Sequence, residues 1–320
     1  MPDFIKLPYN LRQKPDREKL QNFISDFLVN NNFYELFCNS LCKASFNKPE
    51  TNIKLMNPLS KELDSLRQSL LYNGLEAIAY NINHKKKDLK LFEFGKVYKL
   101  NSDSETPNKY HEQFILALYI TGKKYKENWR LTNWDIDIYD LKETVTSLLL
   151  KLNFIADDIK FEEFSKKDCF SYGHNIFIKN ILIGEIGSLN SKSLKIFDIS
   201  NTIIYANLDW DKLIYLCNNV IITEELPKYP EVKRDLALML NENINYSDIE
   251  IVIKKLNNPL IKSFSLFDYF TGGDIPQGKK SYALRFILQD KEKTMTDKGI
   301  DKILTEIKNT IRLNLKGEIR

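Results

Sequence analysis

The sequence predicts an α+β protein with two domains, and three observations support that prediction. Short runs with alternating apolar residues, typical of strands, recur along the chain between segments with helical periodicity. A proline-marked segment, LPKYP at 226–230, separates two groups of such elements. The length of 320 residues exceeds the size at which a single hydrophobic core usually stops growing. We therefore divide the chain into a linker or tail at 1–15, a first domain at 16–225 and a second domain at 226–320.

The first helix is predicted to begin at Asp16 and to end at Asn30-Asn31-Asn32, because Asn tolerates the left-handed backbone of a helix end. Its apolar residues follow the i, i+3, i+4, i+7, i+8 spacing of a single helix face. They are Leu20, Phe23, Ile24, Phe27 and Leu28. An apolar stripe of this width requires something to cover it.

The rest of the first domain is predicted to form strands and helices around one sheet. A strand is predicted for FYELFCNSL, and a mostly helical segment for LDSLRQSLLYNGLEAIAYNI. Two strands follow, LKLFEFGKVYKL and QFILALYITG, and then a helix, DLKETVTSLLLKL, with Asp140 as its N-cap. A hairpin with its turn at Lys179-Asn180 is predicted for NIFIKNILIGEIGSL, and a strand leading into a short helix for TIIYANLDWDKLI. Together these elements predict a helix-flanked, mostly antiparallel sheet.

The second domain is predicted to have the order β-α-β-β-α-β. RDLALML is predicted as a strand, and Ser247 as the start of a helix with Glu250 completing a capping box. The strands SFSLFDYF and SYALRFIL are joined by the loop GGDIPQGKK. A helix from Thr296 to near Leu313 and a short last strand, GEIR, complete the ferredoxin-like order.

The composition is typical of a water-soluble globular protein, with 43% hydrophobic and 28% charged residues. No apolar run approaches the length of a membrane span, and the N-terminal residues lack a secretory apolar core. We therefore expect a cytoplasmic protein. The four cysteines form no CxxC pair and have no clustered His, so we expect no bound metal.

The positive charge of the chain is concentrated in the second domain. The formal net charge is +4, and residues 226–320 by themselves also carry a net charge of +4. The first 225 residues are therefore neutral overall. A polyanionic partner is expected to bind the second domain.

The Gly-rich loop GGDIPQGKK is not predicted to bind a nucleotide, because it joins a strand to a strand and no helix N-terminus is available. Its glycines are typical of a hairpin connection with positive φ. Strand alternation places Tyr282, Leu284, Phe286 and Leu288 on one face of the strand that follows. The opposite face includes Arg285. With Lys279 and Lys280 beside it, this face is suited to a backbone phosphate of RNA.

Several motifs resemble those of bacterial phenylalanyl-tRNA synthetase beta chains. KYPEVKRDLALML, LFDYFTGGDIPQGKKSYALRF, TMTD and GEIR are similar to the anticodon-binding, ferredoxin-like domain at the end of those chains. NPLSKELDSLRQSLL, LKLFEFGKVY, IYDLKETV and ILIGEIGSL resemble their catalytic-like domain, a degenerate class II synthetase core. The resemblance covers about 16–320 and implies a class II synthetase-like antiparallel sheet domain followed by a ferredoxin-like βαββαβ domain. Because such beta chains carry further modules upstream, we expect this sequence to be the C-terminal part of a longer chain.

The resemblance implies a role in the ATP-dependent attachment of phenylalanine to its tRNA. It implies an (αβ)2 heterotetramer in which the alpha chain uses ATP and magnesium, while this chain binds no cofactor. This chain is then expected to supply an alpha-chain interface and to bind the anticodon of tRNA(Phe).

The predicted RNA contacts all lie in the second domain, where lysines and arginines are expected at phosphates and one aromatic residue is expected to stack on a base. The predicted residues are Lys279, Lys280, Arg285, Arg234, Phe267 and Tyr269. For Arg234 an alternative is open, in which it pairs with Asp235 and braces the domain.

No catalytic residue is predicted in this chain. A class II active site holds ATP with arginines, and the first 225 residues contain only Arg12, Arg17, Arg67 and Arg130. Lys does not replace Arg where the guanidinium must stack and bind a phosphate with two hydrogen bonds. We therefore expect that the chain by itself does not form phenylalanyl-adenylate.

The apolar stripe of the first helix is predicted to contact the alpha chain, because the resemblance places the first-motif helix of class II synthetases at a subunit interface. The alternative is that the stripe packs on the sheet of its own domain. Two other functions are also open. One is a single-chain synthetase of the mitochondrial type, which is disfavoured because the arginine of the third class II motif is missing: there is no arginine between Arg130 and Arg234. The other is a stand-alone RNA-binding or regulatory protein.

Overall fold

The computed structural model describes residues 16–101, 109–125, 128–130, 132–217, 227–272 and 275–319. The chain divides into two compact units, Met1–Ile221 and Ile222–Arg320. Both combine helices with a largely or wholly antiparallel sheet, which confirms the predicted α+β class. No helix in the described ranges is long and apolar enough to span a membrane.

The N-terminal unit is built around a seven-stranded sheet within its described residues, in the order β1-β4-β5-β9-β8-β7-β6. Its helices are α1 Arg17–Asn30, α2 Leu71–Asn83, α3 Ile138–Lys151, α4 Ser191–Lys195 and α5 Trp210–Leu216. Its strands are β1 Tyr34–Glu35, β2 Leu41–Cys42, β3 Ser65–Leu66, β4 Leu89–Leu100, β5 Tyr110–Thr121, β6 Ile159–Phe164, β7 Phe170–Ile178, β8 Ile181–Leu189 and β9 Ile203–Asp209. Neighbouring strands of the large sheet are antiparallel except for β1, which runs parallel to β4. The small strands β2 and β3 pair with each other outside this sheet.

Both faces of the large sheet are buried, because helices cover it on each side. Phe92 and Phe94 of β4 pack with residues of α1, α3 and α5. Leu91 and Val97 of the same strand pack with α2 and α4 on the opposite side. Strand alternation therefore supplies two separate cores from one set of strands.

Two predicted elements of the N-terminal unit are shorter than the sequence indicated. FYELFCNSL was expected to be one strand, but only Tyr34–Glu35 pairs with the large sheet. The carbonyls of Cys38 and Asn39 accept hydrogen bonds from the Arg67 guanidinium rather than from a neighbouring strand. The helix predicted across 63–82 begins only at Leu71, since Ser65 and Leu66 pair with β2.

Three helix ends show how well local signals predicted the boundaries. Asp16 caps α1 as expected. The predicted N-cap Asp140 instead occupies the third position of α3, where its carboxylate accepts from the backbone N–H of the true cap, Asp137. The predicted start at Ser247 is also displaced, because the reciprocal capping pair of the next unit's first helix is Asn245 and Asp248. In both cases a capping pair three residues apart occurs earlier in the sequence than the predicted one.

The hairpin between β7 and β8 has the predicted turn. Lys179 and Asn180 have φ values of 48° and 66°, so both adopt the left-handed backbone of a type I′ turn. Asn32, after α1, is also left-handed, with φ 65°, which confirms the predicted end of that helix.

The C-terminal unit has the predicted β-α-β-β-α-β order. Its elements are β10 Val232–Asn241, α6 Tyr246–Lys255, β11 Ile261–Thr271, β12 Lys279–Leu288, α7 Asp297–Leu315 and β13 Glu318–Ile319. The sheet order is β11-β12-β10-β13, and all three pairings are antiparallel. Both helices pack on one face of this sheet, so the other face has no helix over it among the described residues.

A buried ion pair connects three segments of the N-terminal unit. Nη1 of Arg67 lies 2.7 Å from Oε1 of Glu93, and the two side chains are 4% and 1% exposed. Nε of Arg67 donates to the carbonyl of Lys96, and Nη1 also donates to the carbonyl of Asn39. A Cβ added at Gly95 would lie 2.3 Å from Nη2 of Arg67, so this strand position must be glycine for the guanidinium to fit.

Replacing Arg67 with Met should lower the free energy of unfolding of the N-terminal unit by about 3–5 kcal/mol, because Glu93 would keep a buried charge without its partner. Lys43→Met is the control, since its ion pair with Glu62 is exposed to solvent and contributes little to stability. The measurement is urea denaturation of the full chain, followed by circular dichroism. Equal effects of the two substitutions would contradict the assigned role of the buried pair.

Candidate nucleic-acid interface

The loop that joins β11 to β12 is a hairpin connection, as predicted. Gly272 and Gly278 have φ values of +79° and +80°, and a Cβ at either would meet nothing within 4 Å. Glycine is therefore favoured at both positions because of the backbone conformation, and not because a side chain would lack space. The N–H of Lys279 donates to the carbonyl of Pro276, which closes the turn before β12 begins. Gly273 and Asp274 lie outside the described residues.

Strand β12 has the two faces that the sequence predicted. The side that faces the helices is fully buried and contributes to the core of the unit through Tyr282, Leu284, Phe286 and Leu288. The opposite side, which we call the open face, carries Ser281, Ala283, Arg285 and Ile287 of β12. The predicted RNA-binding residues divide between these two sides.

The two loop lysines do not share a face, contrary to the prediction that both lie beside Arg285. Lys279 has the same parity as Arg285 and belongs to the open face. Lys280 has the parity of Tyr282, is 6% exposed, and places its Nζ 5.3 Å from the centre of the Tyr282 ring. Its methylene stem is therefore buried on the helix side of the sheet. Adjacent strand positions cannot both point to one ligand, and the prediction overlooked this.

Arg285 forms an ion pair across two strands of the open face. Its Nε and Nη2 donate to Oδ1 and Oδ2 of Asp235, each at 2.8 Å, in a bidentate pair. Asp235 lies directly opposite Arg285 in the β10–β12 register. The guanidinium carbon also lies 4.6 Å from the centre of the Phe267 ring. Hydrogen bonding to Arg285 holds the pKa of the Asp235 carboxyl below its ordinary value.

Arg234 does not pair with Asp235, so the alternative pairing offered for it is wrong. Its Nη2 lies 3.6 Å from Oδ1 of Asp297, at the start of α7, and its Nη1 donates to the carbonyl of Lys233. Arg234 pairs across the strands with Phe286, which places it on the helix side of the sheet. It is therefore separated from Arg285 by the thickness of the sheet.

A register shift in β11 separates the two predicted aromatic residues. The shift lies between Leu266 and Asp268, so Phe267 occupies the bulge. After the bulge Tyr269 lies opposite Tyr282, with ring centres 5.3 Å apart, on the helix side. Phe270 lies opposite Ser281 on the open face and is 55% exposed. Sequence reasoning missed Phe270, because a simple alternation from Phe267 assigns it to the wrong side.

The first-helix stripe is largely covered by its own sheet. Ile24 and Leu28 are fully buried in the core, and Leu20 and Phe27 pack against it. Phe23 is 45% exposed. The alternative packing therefore accounts for four of the five residues, and the predicted subunit contact stays a prediction that concerns Phe23.

Two of the described arginines of the N-terminal unit, Arg17 and Arg67, are engaged in structural contacts, whereas Arg130 is exposed. Arg17 pairs with Asp211 at 3.0 Å and stacks on the Phe114 ring at 4.3 Å, and Arg67 is held by Glu93. Arg12 lies outside the described residues. A cavity of about 210 Å3 opens beside α2, where its charged lining is Lys43, Glu62 and Glu76. Burial raises the pKa of the Glu76 carboxyl. The excess of carboxylates over cations in this lining is unfavourable for a triphosphate.

Comparison with known proteins identifies the family. A family model described as phenylalanyl tRNA synthetase beta chain CLM domain matches residues 3–210. The chain belongs to the phenylalanyl-tRNA synthetase beta-chain family. A second family model, the ferredoxin-fold anticodon binding domain, matches residues 227–320. Both halves of the beta-chain resemblance are thereby confirmed.

Individual relatives agree with this assignment. The phenylalanine–tRNA ligase beta subunit of Bacteroides thetaiotaomicron is 37% identical over 314 residues, which cover 94% of this chain and 38% of that protein. The corresponding subunit of Porphyromonas gingivalis is 32% identical over 316 residues, with 95% and 38% coverage. The chain thus spans 38% of the length of these relatives. A crystal structure of pyrrolysyl-tRNA synthetase from Desulfitobacterium hafniense has a TM-score of 0.50 at 12% identity, covering 65% of this chain and 71% of that one. That similarity supports a synthetase-like fold for the part of the chain that it covers.

Replacing Lys279 with Met should reduce the dependence of RNA affinity on salt, whereas Lys280→Met should leave it unchanged. One lost phosphate contact lowers the slope of log K against log salt by about 0.7 on a single strand. The two variants are matched, since they remove the same charge from adjacent residues on opposite faces. Titration with a tRNA(Phe) anticodon stem-loop at several salt concentrations gives the slopes. Equal slopes for the two variants would show that the side of the sheet on which a lysine lies does not decide whether it contacts a phosphate.

Proposed function

We propose that this chain is the C-terminal part of a phenylalanyl-tRNA synthetase beta chain and supports the attachment of phenylalanine to tRNA(Phe). The observation that carries the proposal is the match of both beta-chain domain families, in order, along the chain. On this proposal an alpha chain performs the chemistry with ATP and magnesium in a cytoplasmic (αβ)2 assembly. This chain then contributes structure and RNA recognition and no catalytic residue.

The open face of the C-terminal sheet is the surface that we propose for the anticodon. It carries the exposed ring of Phe270, the stacked pair of Phe267 and Arg285, and Lys279 at the loop end. Single-stranded RNA is commonly bound by aromatic rings that stack on splayed bases and by cations near the backbone. Sheets that are open on one side provide a rigid platform for both kinds of contact.

The proposal is tested with Phe270→Leu in the full chain. Loss of the ring should weaken binding of the anticodon stem-loop by about fivefold or more, because base–aromatic stacking contributes ~1–3 kcal/mol per base. Tyr269→Leu is the matched control, since Tyr269 is similarly exposed but lies on the helix side against Tyr282. Fluorescence anisotropy with the stem-loop and with a scrambled loop gives both affinities. Binding of the two RNAs with equal affinity by the unaltered chain would refute anticodon recognition.

The alpha-chain contact is proposed for the exposed part of α1. Phe23→Asp should abolish binding of a phenylalanyl-tRNA synthetase alpha chain without changing circular dichroism, because a buried contact cannot accept an unpaired carboxylate. Leu150→Asp on α3 is the control, since Leu150 has the same 45% exposure on the same side of the sheet. Co-expression and pull-down with the alpha chain provide the measurement. Retained binding by Phe23→Asp would exclude this helix as the contact, and absence of any alpha-chain binding would favour a stand-alone RNA-binding protein.

A further inference from the structure

The guanidinium of Arg285 is held along its edge and on one face. Asp235 accepts two of its five N–H groups in the bidentate pair, and the guanidinium carbon lies over the Phe267 ring, 4.6 Å from its centre. Both carboxylate and guanidinium come from the central strands β10 and β12, directly opposite each other. The pair is therefore positioned by the sheet itself and not by a flexible loop.

This arrangement is poorly suited to a phosphate. The Asp235 carboxylate cancels the positive charge of Arg285 and repels a phosphate oxygen placed beside it. A guanidinium that is fixed in plane and backed by an aromatic ring instead presents a flat surface, on which planar groups stack. Its N–H groups that do not donate to Asp235 can donate to acceptors at the edge of such a group.

On the open face, the surface formed by Arg285 and Phe267 is separated from the Phe270 ring by one row of cross-strand neighbours. Ser281 lies four positions before Arg285 in β12, a distance of about 13 Å along the strand. Phe270 is the cross-strand neighbour of Ser281. The row between them contains Asp268, Ala283 and Ala237, and the two alanine side chains over β12 and β10 are small. Two planar groups therefore fit on the open face without competing for the same space.

We propose that Asp235 is a positioning residue that holds Arg285 and Phe267 as a charge-neutral stacking surface for a nucleobase, and that Arg285 does not contact a phosphate. This inference rests on the proposed binding of RNA to the open face and assigns the role of each group there. Asp235 itself does not touch the RNA. It acts by neutralising and orienting Arg285.

The test compares the salt dependence and the base preference of three variants of the full chain. In Asp235→Asn the freed cation should steepen the slope of log K against log salt by about 0.7, and discrimination among single-base substitutions of the loop should fall by roughly fivefold. In the double variant Asp235→Asn with Arg285→Met, which removes the pair without changing the net charge, discrimination should fall to a similar extent, whereas the slope should stay as in the unaltered chain because no phosphate contact is lost. Asp297→Asn is the control, since it removes the counter-charge of Arg234 on the helix side and should change neither quantity.

The probes are synthetic anticodon stem-loops of tRNA(Phe) with each loop base replaced in turn. A lower slope in the double variant, like that expected for Lys279→Met, would overturn the proposal and make Arg285 a phosphate contact. An unchanged slope and an unchanged base preference in Asp235→Asn would also overturn it. If the unaltered chain does not prefer the stem-loop over a scrambled loop, the proposed function and this inference both fail. If the unaltered chain shows that preference and only the variants depart from expectation, this inference alone fails.

Discussion

The alternation of side chains along β12 is the constraint on which the C-terminal unit depends. Successive residues of a strand point to opposite faces of the sheet, and the two helices cover only one face. Tyr282, Leu284, Phe286 and Leu288 therefore form the core, while Arg285 and Lys279 lie on the other side. A shift of one residue would bury Arg285 and expose the apolar set, so the burial of the core fixes the position of every open-face residue.

Charge and register together give the open face its chemical character. Residues 226–320 carry the entire positive excess of the chain, but the two strand arginines there are both paired with carboxylates. Positive charge near the open face is thus not equivalent to a set of phosphate ligands. Exposed aromatic rings are its other feature, and the bulge in β11 decides which rings they are. The combination favours recognition of bases over a purely electrostatic attraction to the backbone.

Two arginines of the N-terminal unit, Arg67 and Arg17, are committed to structural contacts. Arg67 and Glu93 lie where the sheet, α2 and the segment after β1 meet, and their ion pair replaces strand hydrogen bonds for that segment. Arg17 is engaged by Asp211 and Phe114 at the opposite side of the sheet. An arginine committed to a buried carboxylate stabilises its neighbours and is no longer available to bind a triphosphate.

The sequence by itself determined the α+β class, the βαββαβ order, the buried set of β12 and the hairpin nature of the Gly-rich loop. These properties depend on local periodicity, on turn residues and on the covering of apolar faces, all of which act within a few neighbouring residues. The motifs also identified the beta-chain family, which the family comparisons confirm.

Only the tertiary structure decided which polar and aromatic residues share a surface. The partner of Asp235 is 50 residues away in Arg285, and the partner of Arg67 is 26 residues away in Glu93. Such pairs depend on strand order and register, which local periodicity does not encode. The bulge at Phe267 moved Tyr269 to the helix side and Phe270 to the open face, because one extra residue reverses the alternation of all that follow. The core could be predicted from the sequence because the apolar residues that form it recur with the local period of each strand and helix. The candidate site could not, because it depends on the pairing of distant strands.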